Sequence, residues 1–162
     1  ADPTCSPVAG AYPVQITHLH VPQYVSNGSH AAILDCEYAL GPRESINASG
    51  LVVKWFFNDG PAPVYQWIPP QRPQELGLLR GRLDLGYQAT KSNASRHRAL
   101  YIRNPTTDLS GEWKCLVSTF DDEDFMTKKM VVYGEWWLWC RLPAEWAGLV
   151  LTVCPRKALE IA

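Results

Sequence analysis

Between residues 32 and 38 apolar and polar side chains alternate. Ala32, Leu34, Cys36 and Tyr38 fall on one side of an extended chain, and Asp35 and Glu37 on the other. A period of two predicts a strand with one face in a core and one in water. The same reading predicts strands over residues 51–57, 64–68, 82–85 and 99–103, and a hairpin pairing 112–120 with 125–133. Residues 14–21 alternate well enough for a first edge strand, which Pro22 ends. Asn58-Asp59-Gly60-Pro61 predicts a tight turn in which Gly60 takes positive φ. Pro69, Pro70 and Pro73 predict an irregular passage after the 64–68 strand. Every predicted element is a short strand bounded by turn residues, so the fold class is expected to be all-β.

Composition narrows the setting. The chain has 162 residues and a net charge of −1, with its basic residues scattered. It is long enough for one domain and an appendage, and it lacks the basic footprint of a nucleic-acid or anionic-membrane binder. No apolar run reaches the 18 or more residues of a membrane span. Five cysteines, with glycosylation acceptors at Asn27, Asn47 and Asn93 (Asn27-Gly28-Ser29, Asn47-Ala48-Ser49, Asn93-Ala94-Ser95), point to an oxidising secretory route. Ala1-Asp2-Pro3 is expected to be a processed or vector-derived start and is set aside.

Candidate chemistry is sparse. His18 and His20 share a strand face and His30 lies near them in sequence. They are read as surface histidines of an edge strand, because no fourth zinc ligand is indicated. Asp121-Asp122-Glu123-Asp124 lacks the spacing of a calcium loop and is read as a solvated hairpin tip. No catalytic Ser-His-Asp arrangement, phosphate-cradling glycine loop or cofactor motif occurs, so no enzyme and no cofactor is expected.

Cys36, Trp55 and Cys115 together resemble the Cys…Trp…Cys frame of the immunoglobulin superfamily. Leu100-x-Ile102-x-Asn104 followed by Asp108…Gly111-x-Trp113-x-Cys115 resembles that superfamily's signature before the second cysteine. The resemblance covers roughly residues 14–133, and the 64–68 strand lengthens the cysteine separation to that of a variable-type domain. It implies an immunoglobulin-like variable-type β-sandwich over residues 13–133, after an irregular lead-in at 1–12 and before a Trp/Cys-rich C-terminal extension at 134–162. It further implies a Cys36–Cys115 disulfide between facing sheets, with Trp55, Trp113, Leu100 and Ile102 in the core. Two departures stand out: one extra residue lies between Asp108 and Gly111, and Trp113 replaces a tyrosine. An indole has no hydroxyl, so the hydrogen bond of a tyrosine corner must be absent or replaced.

Within the superfamily, Ser110-Gly111-Glu112-Trp113-Lys114-Cys115-Leu116-Val117-Ser118, with Val53-Lys54-Trp55-Phe56 and Tyr65-Gln66-Trp67-Ile68-Pro69, is similar to the beaten-path group of insect neuronal recognition proteins. That similarity implies a secreted or surface-anchored protein that binds another immunoglobulin-type receptor during axon guidance.

Strand parity places a candidate binding face. With Trp113 and Cys115 inward, Lys114 and Leu116 point outward, and Phe56, Tyr65 and Trp67 are expected beside them as an exposed aromatic patch. Aromatic residues of this kind are enriched among interface hot spots. Asn47 and Asn93 are expected at one end of the sandwich and Asn27 near the other, leaving this face open.

The extension holds four of the seven tryptophans. It is read as packing on the sandwich, with dimerisation or an altered splice product as alternatives. Cys5, Cys140 and Cys154 remain unassigned: Cys140–Cys154 is the simplest pair, and Cys5 to either tail cysteine is open. The leading function is an extracellular recognition or adhesion module that binds a cell-surface immunoglobulin-superfamily protein, or a second copy of itself, through the sheet face. The competing reading is a secreted, immune-type or soluble-ligand binder that uses its end loops.

Overall fold

The computed structural model describes residues 14–41 and 49–134. Expectations for the lead-in, for the sequon at Asn47, for the extension beyond Gly134 and for Cys5, Cys140 and Cys154 lie outside the described residues.

The described chain forms β1 (Gln15–His20), β2 (Tyr24–Ser26), β3 (Ala31–Ala39), β4 (Val52–Phe57), β5 (Tyr65–Trp67), β6 (Gln74–Glu75), β7 (Leu100–Arg103), β8 (Gly111–Ser118) and β9 (Glu123–Tyr133). Two sheets result. One has the order β1-β3-β7 and the other β2-β9-β8-β4-β5-β6. All pairings are antiparallel except β2 with β9, which is parallel.

The core lies between the sheets, where Leu34, Cys36, Val53, Trp55, Leu100, Ile102, Trp113 and Cys115 are buried. Cys36 of β3 and Cys115 of β8 bridge the two layers, with their Cα atoms 6.4 Å apart. Alternation in β3 follows the pattern in the sequence, and Tyr38 packs against the core from its edge. Strand β1 departs from a strict period of two. A register shift between Ile16 and His18 leaves Thr17 and His18 both exposed, so the buried set runs Val14, Ile16, Leu19, Val21.

Two local expectations are corrected. The predicted strand at 82–85 shrinks to a single bridge between Leu83 and Ile102, with bonds from Asp84 N to Tyr101 O and from Arg103 N to Arg82 O. Gly81, at φ +77°, turns the chain on one side, and Asp84 Oδ1 takes the Gly86 N–H on the other, so pairing cannot extend. In the turn after β4, positive φ falls on Asn58 and Asp59 (50° and 51°) rather than on Gly60, and Gly60 N bonds Phe57 O. This is the primed geometry whose twist suits a hairpin, and Asn and Asp tolerate it through local hydrogen bonds. Here Asn58 Oδ1 accepts the Glu112 N–H of β8 at 2.9 Å, which ties the turn to the neighbouring strand.

The extra residue before Gly111 is absorbed by a 3₁₀ turn, Thr107–Leu109, closed by bonds from Leu109 N to Thr106 O and Ser110 N to Thr107 O. Trp113 then supplies what the missing tyrosine would have given. Its Nε1 donates to Leu109 O at 3.1 Å in a buried position, and its ring lies 4.9 Å from that of Phe57.

Candidate functional site

The outer face of the six-stranded sheet is set by register, because directly paired residues project to the same side. Trp55 and Cys115 are paired and inward, so Lys54, Phe56, Lys114 and Leu116 project outward. Across the sheet, one row runs Phe125, Leu116, Lys54, Gln66, Gln74, and the next runs Thr127, Lys114, Phe56.

Lys114 organises the second row. Its Nζ sits 2.6 Å from Asp59 Oδ1 and 5.1 Å from the centroid of the Phe56 ring. Asp59 reaches this contact from the turn after β4. The hydrogen bond from Lys114, and then its charge, hold the Asp59 carboxyl below the usual carboxylate range. Phe56 is therefore half-buried beneath an ammonium group, with a cation held over the ring.

Tyr65 and Trp67 do not belong to this face. Each is 2% exposed. β5 pairs with β4 as Trp55↔Tyr65 and Val53↔Trp67, so both rings share the inward side and only Gln66 faces out. A strand of three residues flanked by prolines carries too little alternation to reveal its own parity; the pairing decides it. Both polar ends find partners, Tyr65 OH at His97 O (2.6 Å) and Trp67 Nε1 at Gln71 O (3.1 Å). Substitution at Trp67 therefore tests the core and not the face.

The apolar material of the surface lies elsewhere. Among the described residues the exposed large hydrophobic side chains are Phe120 (81% exposed), Phe125 (59%), Tyr24 (47%) and Met126 (38%). Three of the four belong to the β8–β9 hairpin, but Met126, paired with the inward Cys115, projects to the other side from Phe125. Phe125 adjoins Leu116 by register, while Phe120 is placed by the bond from its N–H to Ser49 O and by its ring lying over Gly50. Gly50 has φ +64° and no side chain to obstruct that ring. The sequence held a signal for Phe125. Met130 and Val132 are the core positions of that strand, and their parity sends residue 125 outward.

The acidic run is divided between roles. Asp121 and Asp122 lie in the turn, whereas Glu123 and Asp124 already belong to β9. Asp124 is half-buried and its Oδ2 accepts the Ile16 N–H at 2.7 Å, so it anchors β1 rather than facing only solvent. Among the described residues no group of three His, Cys, Asp or Glu side chains is placed to hold a metal ion. His18 and His20 are exposed beside Glu37 and Asp35, and His30 meets Tyr101 edge-on at 6.5 Å. No helix among the described residues is long and apolar enough to cross a membrane.

Asn27 and Asn93 are both exposed, at opposite ends of β3. Asn27 donates its backbone N–H to Tyr133 O just before β3, whereas Ala94, next to Asn93, accepts a hydrogen bond from Tyr38 OH near its other end. Neither stands on the outer face just described.

Two sheets pinned through Cys36 and Cys115, a six-stranded layer with β2 parallel to β9, and the β5–β6 strands beside β4 define an immunoglobulin variable-type domain. Among solved structures the chain is similar to the human B7-H4 IgV-like domain, with TM-score 0.52 and 17% identity, covering 75% of this chain and 96% of that one. It is also similar to the amphioxus IgVJ-C2 molecule, with TM-score 0.47 and 19% identity, covering 67% of this chain and 54% of that one. At 17% identity the likeness to the B7-H4 domain is one of fold. No family model matches the chain, and no curated protein matches it.

Proposed function

We propose that the chain is a non-catalytic recognition module that binds another protein through the outer face of the six-stranded sheet together with the adjoining β8–β9 hairpin tip. The observation that carries this reading is the exposed Phe125 adjoining Leu116 on the outer face, with the still more exposed Phe120 in the turn of the same hairpin and charged residues around them. An apolar centre within a polar rim is the usual anatomy of an interface. The Cys36–Cys115 disulfide and the exposed sequons at Asn27 and Asn93 support an extracellular setting, secreted or at the cell surface. We assign the recognition domain to residues 13–133 and regard 134–162 as its appendage. The similarity of short motifs to the beaten-path group makes a second immunoglobulin-superfamily receptor the partner of choice, in adhesion or axon guidance, with a further copy of this chain as the homophilic alternative.

The test is a binding screen of the full chain against cell-surface immunoglobulin proteins, itself included, followed by Phe125→Ala with Leu116→Ala. Removing two central apolar anchors is expected to weaken the specific interaction at least about 30-fold, corresponding to about 2 kcal/mol. Unchanged affinity in a folded double variant would overturn the face. The high exposure of Phe120 favours one second reading, recognition by the end loops. Binding lost with Phe120→Ala and retained with Leu116→Ala would establish it.

A further inference from the structure

A cleft of about 590 Å³ opens between the chain leaving β5 and the loop that precedes β7. Trp67, Pro69 and Pro70 line one side, and Asn93, Arg96 and His97 the other. Both walls are fixed. On the first, Trp67 Nε1 donates to Gln71 O, and Gln71 N bonds Ile68 O at 2.7 Å. On the second, His97 O accepts from Tyr65 OH, the His97 ring stands edge-on to Trp67 at 5.6 Å, and Ala89 N bonds Arg96 O at 2.8 Å. The cleft is thus preformed, which lowers the entropic cost of filling it.

Two observations identify the occupant. Asn93 heads the sequon Asn93-Ala94-Ser95, is exposed and itself lines the cleft. Arg96 Nη2 lies 2.8 Å from its Oδ1, and because a guanidinium only donates, the acceptor is the amide oxygen. Nδ2, the nitrogen that carries N-linked sugar, is left for its substituent. Secondly, the Arg96 side chain that orients Asn93 itself lines the cleft, so its guanidinium offers donors beside the point of attachment.

We infer that this cleft seats the N-linked glycan carried by Asn93, its first N-acetylglucosamine units folding back onto the chain. The assignment rests on the secretory reading above. Attachment itself is ordinary transfer from a lipid-pyrophosphate oligosaccharide donor: Nδ2 loses a proton and forms the C–N bond, and the lipid pyrophosphate leaves. The sugar then matches the site by chemistry. Its C–H face suits Trp67, Pro69 and Pro70, and its acetamide and hydroxyls suit the polar side chains of Arg96, Gln71 and Gln88 that line the cleft. The glycan braces the passage after β5 and stays off the Phe125–Leu116 surface.

The test compares the full chain secreted from a glycosylating host with the same chain from a non-glycosylating host. Mass spectrometry reads occupancy at Asn93, thermal unfolding reads stability, and NMR of isotope-labelled sugar reads mobility. Asn93→Gln is expected to lower the Tm of the glycosylated form by about 3 °C and to leave the unglycosylated form unchanged. Asn27→Gln is expected to change neither. Acetamide resonances at Asn93 are expected to be broad and to contact Trp67, unlike those at Asn27. An unoccupied Asn93 would overturn both the inference and its glycoprotein premise. An occupied Asn93 with freely mobile sugar and an unchanged Tm would overturn the docking alone. So would an equal loss of Tm in both hosts, which would trace to the Arg96–Asn93 hydrogen bond.

Discussion

Trp113 stands where a tyrosine hydroxyl would close the corner before Cys115, and its indole N–H closes that corner on Leu109 O instead. The extra residue that lengthens the motif is what brings Leu109 there, through the 3₁₀ turn at Thr107–Leu109. The two departures read from the sequence therefore compensate one another. Trp113→Phe keeps a ring against Phe57 but leaves a buried carbonyl unpaired, and is expected to cost about 1–3 kcal/mol in urea unfolding. A loss no larger than that of an exposed aromatic substitution would mean that water replaces the bond. Tyr38 and Tyr65 extend the argument to pH. Burial raises both phenols above their ordinary 10.0; for Tyr38, Arg98 opposes this and Asp35 adds to it, and for Tyr65 the Tyr38 phenol adds to it. From about pH 10 upward the unfolded chain loses these protons while the folded chain keeps them. The unfolded state then binds fewer protons, so stability falls as pH rises, and it is undiminished by these groups below that range. Spectroscopic titration is expected to show two tyrosines that do not ionise until the chain unfolds.

At the level of the strand, legibility tracked length and patterning. Residues 32–38 declare their parity through four apolar positions against Asp35 and Glu37, and β3 follows it. Tyr65-Gln66-Trp67 presents two large aromatics around one polar residue, a pattern equally consistent with either face. Only the pairing with Val53 and Trp55 places both rings inside. The expected aromatic patch thus shrank to Phe56 under Lys114, while Phe125 was overlooked although its parity was available. Apart from the Cys36–Cys115 bond, contacts made across long separations were not legible. Asp124 reaches Ile16 N over 108 residues and fastens β1 to the start of β9 beside the bulge. Asp124→Ala removes the acceptor from a half-buried backbone N–H and is expected to destabilise by about 1–2 kcal/mol. The effect is expected as accelerated hydrogen exchange in residues 15–20, with β8 protected as before; equal loss in both strands would show that β1 opens only with the whole domain.

For the whole molecule, the frame of Cys36, Trp55 and Cys115 was the most informative feature of the sequence, because a few residues fix the relation between layers that no local pattern encodes. The disulfide closes a separation of 79 residues and is the one covalent link between the sheets among the described residues. Its energetic role is opposed by a core that is already extensive, with Trp55, Trp113, Leu34, Val53 and Ile102 all shielded from water. Those contacts survive when the sulfur atoms are removed, so the native sheets have reason to stay assembled. The unfolded chain, by contrast, gains all the freedom that closure had denied it. A loop of this length corresponds to a loss of roughly 2–5 kcal/mol for Cys36→Ala with Cys115→Ala, part of which is the small cavity left by two sulfur atoms. If the entropic part dominates, the expanded unfolded state exposes more surface, and the urea m-value rises as the midpoint falls. If the cavity dominates, the midpoint falls with m unchanged. Urea unfolding of the double variant separates the two, and the first outcome is expected, because so large a loop constrains the unfolded ensemble more than two missing sulfur atoms disturb the core.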